Sequence, residues 1–304
     1  MVTDPPPRPI LVPLHYHFLA GGIAGVTEIC TMYPLDVVKT RFQLQSKIPS
    51  GAGGTHVQYT SVVDCFKKIV QNEGVSTLYR GLLPPVMVEA PRRAIKFAAY
   101  EKFASVYTNL FPAQKGTVQL SVAAGVSGGV IEGALVVAFE LVKIRLQDPK
   151  NTGMYNGTMD AVKKIRAQEG VMVFSKGFEA CAWRHAMWNA GYFGCIRTVR
   201  SAIPPIPGKY GEMAHSFAAG TVGGTIGTLI NTPFDVVKTR IQSQLPGVTK
   251  YGWSLPAIST VAREEGFGAL YKGFVPKVLR LGPGGGILLV VFEGVSQLIR
   301  DHLL

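Results

Sequence analysis

The chain has 304 residues, with 31 Lys and Arg against 19 Asp and Glu, a formal net charge of +12. Only 16% of residues are charged, while mean hydropathy is +0.22. That pairing excludes a disordered or fibrous chain and argues against a basic nucleic-acid surface. It points to a membrane protein whose bases are concentrated in particular places.

Residues 1–12 read as a tail, rich in proline and holding only Arg8 among bases. The tail is neither an Arg-rich amphipathic leader nor a charged-then-apolar one, so any organelle address is expected to be internal, with no cleavable presequence. The cysteines Cys30, Cys65, Cys181 and Cys195 show no pairing or CxxC spacing, so neither a disulfide framework nor a zinc site is expected.

After the tail, the chain repeats itself. Glu73-Gly74 returns as Glu169-Gly170 and Glu265-Gly266, and Tyr79-Arg80-Gly81 as Ser175-Lys176-Gly177 and Tyr271-Lys272-Gly273. Upstream, Pro34, Asp36, Lys39, Arg41 and Gln43 are echoed by Ala138, Glu140, Lys143, Arg145 and Gln147. The third echo is Pro233, Asp235, Lys238, Arg240 and Gln242. These registers divide the chain into repeats over residues 13–111, 116–206 and 211–304, one integral domain.

Each repeat opens with an apolar stretch, residues 16–35, 118–139 and 216–234, close to the ~20 residues that cross a bilayer as a helix. Each stretch carries a Gly-xxx-Gly spacing (Gly21 and Gly25, Gly125 and Gly129, Gly220 and Gly224), which suits close helix approach in lipid. A second, more polar stretch follows each Arg/Lys-Gly, over residues 81–100, 177–196 and 273–292. Its mid-helix charges suit a helix lining a polar pathway. Between the paired spans a short amphipathic helix is expected, for example over residues 61–72. The segments 36–81, 140–177 and 235–273 concentrate the bases, whereas the links between hairpins hold only Lys102, Lys115, Arg197, Arg200 and Lys209. One membrane face is therefore strongly basic and attracts anionic lipid.

In Pro-x-Asp/Glu-x-x-Lys-x-Arg the acid and base lie on one helix face, and proline interrupts the backbone bonding. Three such helices around an axis place Asp36, Glu140 and Asp235 opposite Lys143, Lys238 and Lys39. That ring of ion pairs closes the bundle at one end, and Gln43, Gln147 and Gln242 are each placed to hydrogen-bond across a pair. Ala138 departs from the proline pattern, so the fourth of nine expected helices should kink less.

The threefold motif, with its Glu-Gly and aromatic-Arg/Lys-Gly companions, resembles the mitochondrial carrier family over essentially the whole chain. The resemblance implies an all-α bundle of six transmembrane helices in three repeats, with pseudo-threefold symmetry and short matrix-side helices. It also implies the inner mitochondrial membrane, a monomer, and alternating access to one central site. The ion-pair ring is then the matrix gate, and cardiolipin is expected at Gly81, Gly157, Gly177 and Gly273 as a structural lipid, with no other cofactor. An opposite, cytoplasmic gate retains only Glu101 and Arg200 as a pair. Ala104 and Ser296 stand where its other bases belong, so that gate is expected to be weak.

The register also identifies cavity residues. Seven positions after Gly81, Gly177 and Gly273 stand Val88, Arg184 and Arg280, followed by Glu89, His185 and Leu281. Arg92 and Lys96 share a helix face with Val88. The cavity is expected to present Arg92, Lys96, Arg184 and Arg280, with Arg93 and His185 at its margin. Bases without a structural carboxylate partner point to an anion bearing more than one carboxylate or phosphate. The alternative is that Glu28, Glu89 and Glu132 neutralise some of them, or that Glu28 and Glu132 serve proton coupling. His185 is expected to orient the substrate by a hydrogen bond.

Within the family, residues 89–97, 139–148 and 188–194 resemble the carriers of oxodicarboxylates, which implies exchange of 2-oxoglutarate, 2-oxoadipate and related dicarboxylates. A citrate or other di/tricarboxylate carrier, and a channel-like or uncoupling homologue, remain as alternatives. No dinucleotide fingerprint, phosphate loop, metal cluster or nucleophile triad supports an enzyme, and nucleic acid is not an expected partner.

Overall fold

The first repeat folds as α1 (Leu14–Leu44), α2 (Val62–Glu73) and α3 (Leu83–Leu110). The second comprises α4 (Val118–Gln147), α5 (Thr158–Glu169) and α6 (Phe178–Ala202). The third comprises α7 (Gly211–Ser243), α8 (Ser254–Glu265) and α9 (Phe274–Leu303). This computed structural model describes residues 14–45, 58–204, 207, 211–247 and 250–303, and all regular structure among them is helical. The tail of residues 1–12 and Lys209 lie outside the described residues.

Even the shortest long helix, α6, has 25 residues, about 37 Å at ~1.5 Å per residue and enough to cross a ~30 Å hydrocarbon layer. By length and apolar composition alone, α4 and a stretch containing most of α9 qualify as spans. The other long helices carry more charge or less apolar surface because they also line a polar interior. On the outside the order is reversed. Leu19, Ile23, Ile131, Leu229 and Val290 are exposed, an arrangement that suits lipid better than water.

The six long helices close a ring in the order α1, α3, α4, α6, α7, α9 and back to α1. The first helices of the repeats, α1, α4 and α7, also touch one another, whereas α3, α6 and α9 show no comparable contact among the described residues. The bundle is thus drawn together by the first helices. Glycine sets how near the helices of one repeat come. A Cβ on Gly25 would lie 2.9 Å from Glu89 Oε1, and one on Gly129 3.2 Å from His185 Cβ. Gly224 meets Leu281 in the same register. The second glycine of each Gly-xxx-Gly therefore admits the cavity-bearing turn of its own repeat's second helix.

The short helices build three small cores at the bundle end where the first helices meet. Cys65 and Ile69 of α2 pack on Tyr33, Val37 and Val38 of α1. Ala161 and Ile165 of α5 pack on Leu141 and Val142, and Ala257 and Val261 of α8 on Val237 and Ile241. Burial pushes the Cys65 thiol up to about 12, so it packs as a small apolar group.

The Glu-Gly dipeptide now has a physical reason. Gly74, Gly170 and Gly266 end the short helices at φ 86°, 79° and 88°, a region that side chains disfavour. The preceding acids turn back to the buried arginines of the first helices. Arg41 reaches Glu73 at 2.7 Å, Arg145 reaches Glu169 at 3.1 Å, and Arg240 is paired with Glu265. These links escape the sequence reading, although the registered recurrence of both partners was the available signal. From the same region the repeats interlock: Arg80 donates to the Tyr155 carbonyl, Lys176 to that of Gln244 and Lys272 to that of Gln45. Each repeat thereby grips the next, and the third grips the first.

Burial pushes the Glu265 carboxyl up, but hydrogen bonds and charge from Arg240 and Lys272 overcome it, lowering the value from an ordinary 4.5 to about 2. A depressed carboxyl contributes stability that is fully present above its ordinary value and lost as pH falls through the folded one. Glu265→Gln is expected to cost about 3 kcal/mol at pH 7. The gap in unfolding temperature between variant and wild type should then close between pH 4.5 and about 2, which pH-dependent thermal unfolding of the purified protein measures.

Candidate functional site

Where α1, α4 and α7 converge, three ion pairs link each first helix to the next. Lys39 meets Asp235 at 2.7 Å, Lys143 meets Asp36 at 2.9 Å, and Lys238 meets Glu140 at 2.8 Å. Asp36, Asp235 and Lys238 are buried and Lys39, Glu140 and Lys143 partly so, so the strength of the ring depends on completing the hydrogen bonding of each carboxylate. Gln43 does so for one pair, donating to Asp235 Oδ2 at 2.8 Å. Gln147 and Gln242 do not, which corrects the expectation that each glutamine spans a pair. Lys143 lies over the Tyr33 ring at 5.2 Å, and Gln147 donates instead to the Tyr33 hydroxyl at 2.9 Å. Gln242 faces the carbonyls of Val137 and Lys176 at 3.4 Å. The Glu140–Lys238 pair is reinforced by Arg184 at 2.8 Å and by the Cys181 thiol at 3.1 Å. Glu140, Cys181 and His185 offer ligand atoms within 4.8 Å of one another, but Arg184, Lys238 and the thiol already occupy the carboxylate.

Behind the ring lies a cavity of about 500 Å³ lined by α1, α3, α4, α6, α7 and α9. Second-helix cations hang from the gate acids into it. Arg280 reaches Asp36 at 2.6 Å and Glu28 at 2.7 Å. Arg184 holds Glu140, and Lys277 reaches Asp235 at 3.2 Å. Every gate acid is thus shared between one gate lysine and at least one cation at the cavity floor, Asp235 also lying 3.7 Å from Arg184 Nε. Lys277 is the member that the sequence reading missed. It stands three residues before Arg280, and its signal was a base in the first turn of a helix with few others.

On the opposite wall, Glu89 is gripped by Arg92 at 2.6 Å and Arg93 at 2.5 Å. Arg92 also lies 3.6 Å from Glu132. Lys96 sits over the Trp188 ring at 5.1 Å and has no carboxylate partner among the described residues. The expectation of bases without structural partners therefore fails for Arg92, Arg93, Arg184 and Arg280, and holds for Lys96 alone. A charge taken into the membrane must be paired or solvated; Glu28, Glu89 and Glu132 supply that pairing for Arg280, Arg92 and Arg93, and Glu140 supplies it for Arg184. Arg93 lines the cavity with the others. His185 also differs from its expected role. Arg184 donates to its Nε2 at 2.5 Å, which leaves the proton on Nδ1 facing Glu132 at 3.2 Å. Both ring nitrogens thus face protein groups in this conformation, while His185 still lines the cavity.

At the other end of the bundle Glu101 and Arg200 are not paired. Arg200 donates to Ser216 Oγ at 3.2 Å, and Arg197 to the Gly116 carbonyl at 3.1 Å. With the first-helix ring shut, the far ends of α3, α6 and α9 stand apart, and the two partners of that second gate do not meet.

The glutamines provide a test of the ring. Gln43→Ala removes a bond to a buried carboxylate and is expected to cost about 2 kcal/mol. Gln242→Ala, which loses only two long bonds to carbonyls, should cost less than half as much. Thermal unfolding of the two variants side by side measures the difference.

Comparison with known proteins agrees with this architecture. The family model described as mitochondrial carrier protein matches residues 12–110, 114–205 and 210–303. The mitochondrial citrate transporter D of Aspergillus niger is 55% identical over 95% of this chain and 96% of its own length. The mitochondrial 2-oxodicarboxylate carrier 2 of Saccharomyces cerevisiae is 49% identical over 99% and 98%, and the human mitochondrial 2-oxodicarboxylate carrier 41% over 93% and 94%. The chain belongs to the mitochondrial carrier family, as a multi-pass transporter of the inner mitochondrial membrane and not an enzyme.

Proposed function

We propose that this carrier exchanges C5–C7 oxodicarboxylates, such as 2-oxoglutarate and 2-oxoadipate, by alternating access. The conformation described here then has its matrix gate shut and its cavity open to the cytoplasmic side. The observation that carries the reading is the charge layout of the cavity. Arg184 and Arg280 stand at its floor, and Arg92 with the uncommitted Lys96 on the wall that α3 provides. A dianion with carboxylates at its two ends bridges these groups, and guanidinium forks bind carboxylates in paired geometry. Gate and cavity together hold nine cations and six carboxylates, a surplus of three positive charges. A dicarboxylate offsets most of that surplus. Relatives whose names specify 2-oxodicarboxylates support the substrate class.

The floor arginines also explain how binding reaches the gate. Each is bonded to a gate acid, so a substrate carboxylate that takes Arg184 and Arg280 removes one of the cations holding Glu140 and Asp36. The ring then opens toward the matrix, while Glu101 and Arg200 come together at the other end. Without bases at positions 104 and 296, that second gate is weak. Cardiolipin is proposed to seat its phosphates at Gly81, Gly157, Gly177 and Gly273, which stand at helix starts with φ angles of 79°, 103°, 79° and 84°. The carrier is proposed to act as a monomer, since one bundle encloses the whole cavity.

A second reading, transport of citrate or another tricarboxylate, is favoured by the relative named for citrate. Exchange in reconstituted liposomes separates the two. Labelled 2-oxoadipate is expected to enter only when dicarboxylate is present inside. Arg184→Ala and Arg280→Ala should each lower that exchange by at least about 100-fold, the consequence of removing one partner from a buried charged contact. Exchange that survives Arg184→Ala overturns the site, and uptake equal with and without internal substrate overturns the exchange mechanism.

A further inference from the structure

We propose that Lys277, presented by Asn231, is a third anion subsite on the cavity floor that takes the additional carboxylate of a tricarboxylate. The proposal rests on the reading that this cavity carries carboxylates, and it assigns to one side chain the number of carboxylates accepted.

The gate ring is complete without Lys277. Asp235 Oδ2 already receives Lys39 at 2.7 Å and Gln43 at 2.8 Å, and Lys277 reaches the same oxygen only at 3.2 Å. Its shorter bond, 2.7 Å, goes to Asn231 Oδ1. Asn231 is itself held in that orientation, because its amide nitrogen faces the Arg184 carbonyl at 3.4 Å. An ammonium carries three donors. Two of them are used here, and both Lys277 and Asn231 line the cavity, so the third donor serves the space that the ligand occupies.

Pseudo-symmetry points the same way. Lys277 stands four residues after Gly273, and the matching positions after Gly81 and Gly177 hold Pro85 and Cys181. A residue needed to shut a threefold ring would be expected in all three repeats, as the gate lysines are. A cation present in one repeat alone suits an asymmetric ligand. Lys277 and Arg280 are three apart on α9, so both project onto one face of the floor, and Arg184 Nε lies 3.7 Å from the Asp235 carboxylate that Lys277 touches. A dicarboxylate spanning the floor arginines and the α3 wall leaves Lys277 on Asp235. A tricarboxylate brings one further carboxylate to the floor and draws Lys277 from a carboxylate that keeps Lys39 and Gln43.

The test is competition against labelled 2-oxoadipate exchange in liposomes, with citrate as the tricarboxylate and unlabelled 2-oxoadipate as the dicarboxylate. It compares wild type, Lys277→Gln and Lys277→Arg. In Lys277→Gln the ratio of the citrate to the 2-oxoadipate inhibition constant is expected to rise at least tenfold, and Lys277→Arg should restore it to within threefold of wild type. Ligand-induced thermal stabilisation of the purified proteins gives the same comparison without transport: citrate should lose its stabilising shift in Lys277→Gln more than 2-oxoadipate does. A ratio that stays constant because both ligands weaken together makes Lys277 a gate residue and overturns the proposal, as does a wild type that citrate neither inhibits nor stabilises. If wild type fails to exchange 2-oxoadipate, the oxodicarboxylate reading falls, and the citrate stabilisation arm still decides the role of Lys277.

Discussion

A charge inside a membrane has to be paired, and this protein satisfies that requirement with too few carboxylates to go round. The gate acids Asp36, Glu140 and Asp235 each serve a lysine of the neighbouring first helix and a cation of the cavity floor. Glu28 holds Arg280, Glu89 holds Arg92 and Arg93, and Glu132 lies beside Arg92. Sharing makes the gate and the cavity one electrostatic network. On the proposed function, an anion that enters the cavity changes the bonding of the gate without any separate transmitting element, because the same carboxylates hold both sets of cations.

The molecule divides into features that obey its threefold repetition and features that break it. The helix ring, the glycine contacts, the arginine-to-glutamate braces and the gate pairs recur in every repeat, and they concern assembly and closure. Asymmetry is concentrated in the cavity. Val88 stands where the other repeats have Arg184 and Arg280, the α3 bases lie higher on the wall, and Lys277 has no counterpart. An asymmetric ligand requires such a departure. Reading the repeats against one another separates the structural from the recognitive residues in a single chain.

That comparison explains what was legible in the sequence. Three repeats, the identity of the gate pairs and most members of the cavity follow from registered spacing, which depends only on helix geometry. Partner choice within the cavity does not. Whether Arg93 faces Glu89 or a ligand depends on the approach of α1 to α3 at Gly25, a tertiary distance that no local pattern encodes. The same holds for the glutamines. All three occupy one register, yet Gln147 is diverted because Tyr33 places its hydroxyl within reach, and Gln242 meets the carbonyls of Val137 and Lys176 instead. Lys277 escaped notice for a related reason: it occupies a register position that the other repeats fill with Pro85 and Cys181.

On the proposed mechanism, the shared carboxylates also favour exchange over free passage. In the empty carrier, releasing Arg184 and Arg280 from Glu140 and Asp36 would leave buried charges unpaired, and that penalty is several kcal/mol per ion. A bound dicarboxylate supplies replacement partners at the moment the gate contacts break, so it selectively lowers the energy of the opening path. The return journey meets the same penalty and needs another anion to offset it. A weak second gate does not relax this requirement, because the cost arises from the cavity cations themselves and these remain in the membrane in both conformations. Obligatory exchange would then come from charge balance at the cavity floor, with the ring of gate pairs fixing only which side is closed while that balance is made.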